Sequence, residues 1–161
     1  MKILICTDAW YPQVNGVCRT LQNLGDELKK VGHQVEYIKP NQFFTVPMPK
    51  YNEIKLSLNV WPRVGTLIKN AKADIVHIAT EGPIGIFAKR YCVKNNIKFT
   101  TSYHTQFDKY LKLYYPYLPI KLAQKFLKNF HGKAEKILVT TQSMKDELQE
   151  IGFDKDKMVV W

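Results

Sequence analysis

The fold is decided by the stretch Thr7-Asp8-Ala9-Trp10-Tyr11-Pro12-Gln13-Val14-Asn15-Gly16-Val17. An apolar run at residues 3–6 precedes it, which is too short for a buried helix and typical of a strand covered on both faces. A helix pattern follows, in which apolar side chains recur every three or four residues and form one stripe: Val17, Leu21, Leu24, Leu28 and Val31. Strand, loop and helix in this order predict the opening of a βαβ unit, whose loop lies at the carboxyl edge of a parallel sheet.

The ends of this first helix carry residues that favour helix termini. Asn15 can cap the free N–H groups at the start, and Gly32 suits a left-handed residue at the end. Gly16 would let an anion approach the backbone closely where the helix dipole is positive. From local chemistry alone, an anion site and an ordinary capped helix are equally consistent with these residues.

The rest of the chain alternates strand and helix patterns. Further strands are predicted at residues 35–38, 53–58, 74–78, 97–102, 136–140 and 157–161. Further helices are predicted at 62–72, from 84 to an end at Asn95-Asn96, at 120–130 and at 143–152, with an interrupted helical region from Phe107. This order predicts an α/β fold with a doubly wound, Rossmann-like parallel sheet and right-handed crossovers.

Three short segments need separate interpretation. Residues 41–49 show no period, and Phe43-Phe44-Thr45-Val46 within them either packs against the core or forms a contact surface. Ser143 and Asp146 have the spacing of a capping box and predict a helix start at Ser143. Asp154-Lys155-Asp156 is formally a DxD motif, but it joins a helix to the following strand at the amino edge, so we interpret it as a turn.

Composition limits the class of protein. The 161 residues with 45% hydrophobic content predict one domain, residues 1–161, with a full core. The three cysteines (Cys6, Cys18 and Cys92) show no CxxC spacing, which argues against disulfides and a zinc site. We expect no metal and no cofactor. The sequence shows neither a signal peptide nor a membrane-spanning run, which predicts a cytoplasmic location.

The formal net charge of +10 predicts an anionic partner: nucleic acid, a phosphorylated small molecule or an anionic membrane surface. A nucleic-acid partner is disfavoured, because the aromatic residues fall in helices and loops and no helix-turn-helix or RNP pattern is present. A dinucleotide site is disfavoured as well, since no GxGxxG follows the first strand and Lys39 stands where a ribose-binding acid would be expected.

Four loop motifs together resemble a known family. They are Thr7-Asp8-x3-Pro12-x2-Asn15-Gly16-Val17-x-Arg19-Thr20, Asp74-Ile75-Val76-His77, Thr80-Glu81-Gly82-Pro83-x-Gly85 and Ser102-Tyr103-His104-Thr105. In this order the motifs resemble the N-terminal half of family-4 retaining glycosyltransferases of the GT-B fold, in the branch with α-mannosyltransferases, sulfoquinovosyl transferases and diacylglycerol glycosyltransferases.

The resemblance implies a two-domain enzyme. The present residues would form the acceptor-side domain, while a second, C-terminal domain outside this chain would hold a UDP- or GDP-linked sugar donor. The acceptor would be a sugar or a lipid such as diacylglycerol, and the chain alone would be inactive. A non-catalytic Rossmann-like module that binds a nucleotide or a phosphorylated ligand would show the same sequence and remains the alternative.

The resemblance also assigns roles to single residues. Asn15 and Gly16 would meet the donor diphosphate, and His104 would reach the donor sugar, where an imidazole can bind a hydroxyl or stabilise developing charge. From their positions in two adjacent loops and in the first turn of the helix, rather than from the resemblance, Asp8, Glu81 and Arg19 are expected to bind the acceptor. For the two acids, helix capping is an equal alternative. Arg19 lies in the first turn of a helix, which is unfavourable for a cation unless an anion is near.

A basic amphipathic pattern predicts a membrane contact. Lys121, Lys125 and Lys128 share one face of a predicted helix, and apolar residues such as Leu122 and Phe126 occupy another. A dense aromatic and apolar cluster at residues 110–118 precedes them. We expect peripheral binding to an anionic membrane, on the inner face of the plasma membrane; a helix packed on the sheet with solvated lysines is the alternative.

Overall fold

The computed structural model describes residues 1–13, 15–48, 51–104 and 119–161, and gives residues 51–53 by their backbone alone. The chain divides into two compact units, Met1–Phe99 and Thr100–Trp161. The helical region predicted from Phe107 and the aromatic cluster at residues 110–118 lie outside the described residues.

Strands and helices alternate in both units. In chain order the first unit contains β1 (Lys2–Cys6), α1 (Gly16–Lys30), β2 (Gln34–Ile38), β3 (Thr45–Met48), β4 (Tyr51–Ser57), α2 (Arg63–Ala71), β5 (Ile75–Ile78) and α3 (Pro83–Lys94). The second unit contains β6 (Phe99–Tyr103), α4 (Ile120–His131), β7 (Lys136–Val139), α5 (Gln142–Glu150) and β8 (Met158–Val160), with β6 beginning at the unit boundary.

β1 is the central strand of the first unit. It pairs in parallel with β2 on one side and with β5 on the other, so that Ile3 lies opposite both Val35 and Ile75. Four consecutive residues of β1 (Ile3, Leu4, Ile5 and Cys6) are buried, which shows that both faces of the strand are covered. Ile3 and Ile5 pack with Leu21 of α1. Each such side chain contributes about 1.5–3 kcal/mol through burial.

The predicted boundaries of α1 are confirmed. The Asn15 side chain accepts a hydrogen bond from the Cys18 N–H at 2.9 Å, and Gly32 has a φ of +86° just beyond the last turn. Val31 does not belong to the buried stripe, because the helix ends at Lys30 and the Val31 side chain, at the C-cap, is 69% exposed.

The segment between β2 and α2 differs from the prediction. β3 and β4 form an antiparallel hairpin of their own, with Thr45 opposite Ser57 and Val46 opposite Leu56. The region predicted to lack a period therefore contains a strand, and the strand predicted at residues 53–58 does not join the parallel sheet. Pro47 is tolerated in β3 because a two-stranded sheet consists only of edges.

The two phenylalanines before this hairpin behave differently. Phe43 is buried, whereas 66% of the Phe44 side chain is exposed. The alternative that the segment packs against the core therefore holds for Phe43, and a contact surface at Phe44 stays a prediction.

In the second unit, β6, β7 and β8 are parallel, with β7 between the other two. The predicted start of α5 at Ser143 is wrong. Thr141 caps this helix by accepting a hydrogen bond from the Met144 N–H at 3.1 Å, and Ser143 lies within the first turn. The Asp154–Asp156 segment is a turn, as predicted, in which the Asp156 N–H donates to the Asp154 carboxylate at 3.0 Å. Parallel strands with flanking helices confirm the predicted α/β class.

Candidate functional site

The Asp8 carboxylate, in the loop after β1, accepts hydrogen bonds from the first turn of α3 and links the loop to this helix. Pro83 is the first residue of α3 and has no N–H, so the first donors of the helix come from Ile84 and Gly85. Asp8 accepts both, through Oδ1 at 2.7 Å from the Ile84 N–H and through Oδ2 at 3.2 Å from the Gly85 N–H. The structure thus gives Asp8 the contacts of a helix cap, supplied by a residue 76 positions earlier in the chain.

Thr80 completes this junction, and sequence reasoning did not find its role. Its hydroxyl donates to the Asp8 carboxylate at 2.9 Å and accepts from the Asp8 backbone N–H at 2.7 Å. The sequence contained one signal for this contact: Asp8 and Thr80 each follow a predicted buried strand. Because β1 and β5 are parallel neighbours, the residues that follow them meet at one sheet edge.

Two glycines make the junction possible. A Cβ on Gly82 would lie 2.5 Å from Cγ of Asp8, and a Cβ on Gly85 would collide with the Thr80 carbonyl oxygen. Both positions therefore have to be free of a side chain for the carboxylate to reach α3. This gives a steric reason for the two glycines in the Thr80–Gly85 motif.

Burial governs the charge of Asp8. Desolvation raises the pKa of its carboxyl from 3.8 to about 6, and the nearby Glu81 adds to this rise. The hydrogen bonds from Ile84, Gly85 and Thr80 act in the opposite direction, because they stabilise the carboxylate. The partly buried Glu81 side chain lies in the same loop, so two acids predicted to bind the acceptor are close to each other.

The start of α1 is arranged differently from that of α3. Asn15 takes the N–H of Cys18, but within the described part of the chain no oxygen accepts a hydrogen bond from the N–H of Gly16 or Val17. A Cβ on Gly16 would meet nothing within 4 Å, and Gly16 is exposed. The α3 terminus is thus occupied by Asp8, whereas the start of α1 has N–H groups that are free within the described residues and at which an anion could bind.

Arg19 adds positive charge to this terminus. Its side chain is exposed in the first turn of α1, and that turn contains no acidic residue. Asn15, Gly16 and Arg19 therefore share one helix start, as the sequence predicted, and the helix dipole and the charge of Arg19 both add positive potential to this turn.

His104 directly follows β6, at the carboxyl end of that strand in the second unit. Its side chain is partly buried, and its ring lies 5.7 Å from the ring of Trp161, at a tilt of 58°. Trp161 follows β8 and was not recognised as part of the site. The predicted strand-end position of His104 is confirmed, while its role stays a prediction.

The helix predicted at residues 120–130 is present as α4, and its contact with a membrane stays a prediction. Lys121, Lys125 and Lys128 are exposed, as are Leu122 and Phe126, whereas Ala123, Leu127 and Phe130 are buried. One face of α4 thus packs in its unit, and a second face presents lysines together with two large apolar side chains. Within the described ranges, no helix is both long and apolar enough to cross a bilayer.

Comparison with known proteins supports the sequence interpretation. The profile of Glycosyltransferase Family 4 matches residues 14–161. The alpha-monoglucosyldiacylglycerol synthase of Streptococcus pneumoniae is 21% identical over 175 residues, covering 99% of this chain and 40% of that protein. A sulfoquinovosyl transferase of Arabidopsis thaliana is 24% identical over 155 residues, covering 88% of this chain and 30% of that protein. The chain thus spans less than half the length of these curated relatives.

A solved structure shows the same fold. Anabaena Alr3699/HepE, crystallised with UDP and glucose, superposes with a TM-score of 0.61 at 12% sequence identity. The match covers 99% of this chain and 43% of that protein.

Proposed function

Since the chain belongs to glycosyltransferase family 4, we propose that it is the acceptor-binding half of a retaining glycosyltransferase that moves a sugar from a nucleotide-sugar donor to a lipid such as diacylglycerol. The name of one relative supports a lipid acceptor, because that relative is an alpha-monoglucosyldiacylglycerol synthase. The complex of the Anabaena protein with UDP and glucose supports a UDP-linked donor. A second domain would supply the remaining donor contacts.

The observation that carries this proposal is the open start of α1. Nothing inside the described chain requires a glycine at position 16: a Cβ there meets no atom, and the first turn of a helix favours alanine over glycine. A ligand that approaches the backbone from outside gives a reason for the glycine. A diphosphate is such a ligand, because its oxygens would accept hydrogen bonds from the free N–H groups and lie at the positive end of the helix dipole.

His104 is proposed to act on the donor sugar. A partly buried imidazole at a strand end can donate to or accept from a sugar hydroxyl, and it can stabilise positive charge or a leaving oxygen without forming a covalent bond. The ring of Trp161 lies beside the imidazole, with the two ring centroids 5.7 Å apart. Holding one hydrogen-bonding group at the reacting carbon contributes mainly to the transition state.

The acceptor is proposed to bind near the junction between the β1 loop and α3. Glu81, in the same loop, is proposed to bind an acceptor hydroxyl. Both oxygens of Asp8 accept hydrogen bonds from α3 and Thr80. Asp8 would then position the loop that carries the acceptor site. Arg19 would contact a phosphate of the donor or the acceptor.

A lipid acceptor has to be reached at a bilayer surface, and α4 is the proposed contact. Its exposed face combines Lys121, Lys125 and Lys128 with Leu122 and Phe126. Near an anionic surface each lysine contributes about 1 kcal/mol, so three of them would hold the protein there reversibly.

The function is tested by glycosyl transfer from UDP- and GDP-sugars to diacylglycerol in detergent, using the full-length protein. We expect transfer by the wild-type protein, and His104→Ala should lower kcat by roughly 10²-fold or more, as for one positioned catalytic group. His33→Ala is the matched control, because His33 precedes β2 at the opposite end of its strand. Near-normal turnover by His104→Ala would return His104 to a structural role. Nucleotide binding without transfer would favour a non-catalytic module.

A further inference from the structure

Three large apolar side chains of the first unit are exposed close together in the sequence, around the base of the β3–β4 hairpin. Phe44 is 66% exposed, Leu58 57% and Trp61 59%. Neither the sheet nor the proposed active site uses them. We call them, together with Arg63 and Arg90, the hairpin patch.

The backbone holds the apolar members of the hairpin patch in place. The Leu58 N–H donates to the Phe44 carbonyl at 2.9 Å, and the Phe44 N–H donates to the Asn59 side chain at 2.7 Å. Val60, between Leu58 and Trp61, is buried and anchors the segment. The exposed side chains therefore project from a fixed segment of chain.

Two arginines border these side chains. Trp61 packs against Phe87 of α3 with ring centroids 6.0 Å apart, and the Arg90 guanidinium lies 5.7 Å from the centre of the same Phe87 ring. The Arg63 guanidinium lies 5.7 Å from the centre of the Phe43 ring. Each arginine thus extends over an aromatic ring with its charge beside an apolar surface.

The surrounding sequence is strongly basic. Residues 41–73 contain five basic residues and one acidic residue, Glu53. The sequence of α3, residues 83–94, contains three basic residues and no acidic one. A partner for the hairpin patch must therefore accept apolar side chains and carry negative charge, which describes the interface of a bilayer with anionic lipids.

We propose that the hairpin patch inserts into the interface of an anionic membrane, with Trp61, Phe44 and Leu58 at the depth of the headgroups and Arg63 and Arg90 against the lipid phosphates. This inference rests on the lipid acceptor of the proposed function. Tryptophan and arginine are the residues that favour this depth, because each combines an apolar body with a polar group.

The hairpin patch and α4, each taken by itself, would bind a membrane with a different dependence on salt. Attraction of lysines to an anionic surface is reversible and decreases with added salt, whereas insertion of apolar side chains does not depend on salt. Stable peripheral binding generally combines two signals. We therefore expect α4 to supply the salt-sensitive part of membrane binding and the hairpin patch to supply the part that resists salt.

Vesicle co-sedimentation of the 161-residue chain tests the proposal, with phosphatidylcholine vesicles and with vesicles that also contain phosphatidylglycerol. The triple variant Phe44→Ala, Leu58→Ala, Trp61→Ala should bind the anionic vesicles at least tenfold more weakly and lose binding at high salt. The matched control is Val31→Ala with Val93→Ala, which removes two exposed apolar side chains elsewhere in the same unit. Charge reversal of Lys121, Lys125 and Lys128 should remove mainly the binding seen at low salt.

A measurement on the unmutated patch guards against misfolding of the triple variant. Lipids brominated near the headgroup should quench tryptophan fluorescence of the wild-type chain, and most of this quenching should disappear in Trp61→Phe. Unchanged vesicle binding by the folded triple variant, or equal quenching in Trp61→Phe, would overturn the proposal. So would a concentration-dependent dimer that the triple variant abolishes, because the occupant would then be a second copy.

Failure of the inference and failure of the proposed function are separable. Transfer to diacylglycerol in detergent does not require a bilayer, so the patch variants of the full-length protein should retain it. Loss of vesicle binding with retained transfer supports the inference. If the full-length protein transfers sugar but the hairpin patch contributes nothing to vesicle binding, the proposed enzyme activity stands and the proposed membrane surface is wrong.

Discussion

At the scale of single residues, two glycines of α1 are present for different reasons. Gly16 has free space around its Cα, whereas a Cβ on Gly25 would collide with the hydroxyl of Tyr37. That hydroxyl donates to the Leu21 carbonyl at 3.0 Å and ties β2 to α1. Gly25 is thus explained by internal packing, whereas Gly16 is the glycine for which we propose a ligand outside the chain.

The substitution Gly16→Ala should separate stability from function. We expect the free energy of unfolding to stay the same or to rise by up to about 1 kcal/mol, because alanine favours the helix. Affinity for a nucleotide-sugar donor should fall by roughly tenfold, since the Cβ would obstruct the diphosphate. Urea denaturation and calorimetric titration of the full-length protein measure the two effects.

Gly25→Ala is the matched comparison, on the same helix. It should lower the free energy of unfolding by roughly 1–3 kcal/mol, the usual cost of overpacking, and leave donor affinity unchanged in the protein that remains folded. Equal donor affinity in Gly16→Ala and wild type would count against a diphosphate at the start of α1.

The raised pKa of Asp8 predicts a pH effect on stability. Since burial raises this pKa from 3.8 to about 6, the folded chain binds more protons than the unfolded chain between these values. The contribution of Asp8 to stability is therefore fully present below about pH 4 and is lost as the pH rises through 6. Relative to Asp8→Asn, the free energy of unfolding should fall by up to about 3 kcal/mol over this range.

Carbon-13 NMR of the Asp8 carboxyl measures the same property directly, with an expected midpoint near pH 6. A midpoint near 4, together with a stability difference from Asp8→Asn that does not vary with pH, would show that the hydrogen bonds to the carboxylate cancel the effect of desolvation.

At the scale of elements, the start of α5 gives a clear test. Thr141→Ala should lower the free energy of unfolding by about 1 kcal/mol, because the Met144 N–H loses its partner. Ser143→Ala should change it by less than about 0.5 kcal/mol, since Ser143 lies inside the helix. The reverse order of effects, measured by urea denaturation, would place the cap at Ser143.

Elements with a strong local pattern could be predicted from the sequence, and those that depend on distant contacts could not. The bounds of α1 were predicted correctly, because they depend on local features: an apolar stripe, Asn15 at the start and Gly32 at the end. Thr141 and Ser143 both have side chains that can cap α5, so the local sequence does not distinguish them. The position of the cap follows from the preceding strand β7, which ends at Val139. The strand β3 contains Pro47 and exists because β4 pairs with it, which no pattern within residues 45–48 reveals.

The candidate site shows the same division. The positions of Gly16 and His104 at strand and helix ends follow from the alternation of elements. The junction of Asp8 with Thr80 and α3 links residues about 75 positions apart, and it depends on β1 and β5 being neighbours. Sequence reasoning brought Asp8 and Glu81 to one edge but could not decide which oxygens are already occupied.

At the scale of the whole molecule, we predict that purified residues 1–161 fold but do not transfer sugar from a nucleotide donor. Catalysis requires binding of the transition state, and in the proposed enzyme the contacts to the donor come mainly from a second domain. A transfer assay with radiolabelled donor, run beside the full-length protein, measures this. Glycosyl transfer by residues 1–161 alone would contradict the division of labour between two domains.

The central position of β1 has a consequence for synthesis on the ribosome. β1 (Lys2–Cys6) is translated well before β5 (Ile75–Ile78), yet its two edges are covered only when β2 and β5 have both paired with it. Until then the nascent chain carries an apolar strand with one open edge, which is the kind of segment that chaperones bind and that aggregates when left exposed. The risk of misfolding should therefore be greatest before β5 emerges from the ribosome, and it should decrease once β5 has paired with β1.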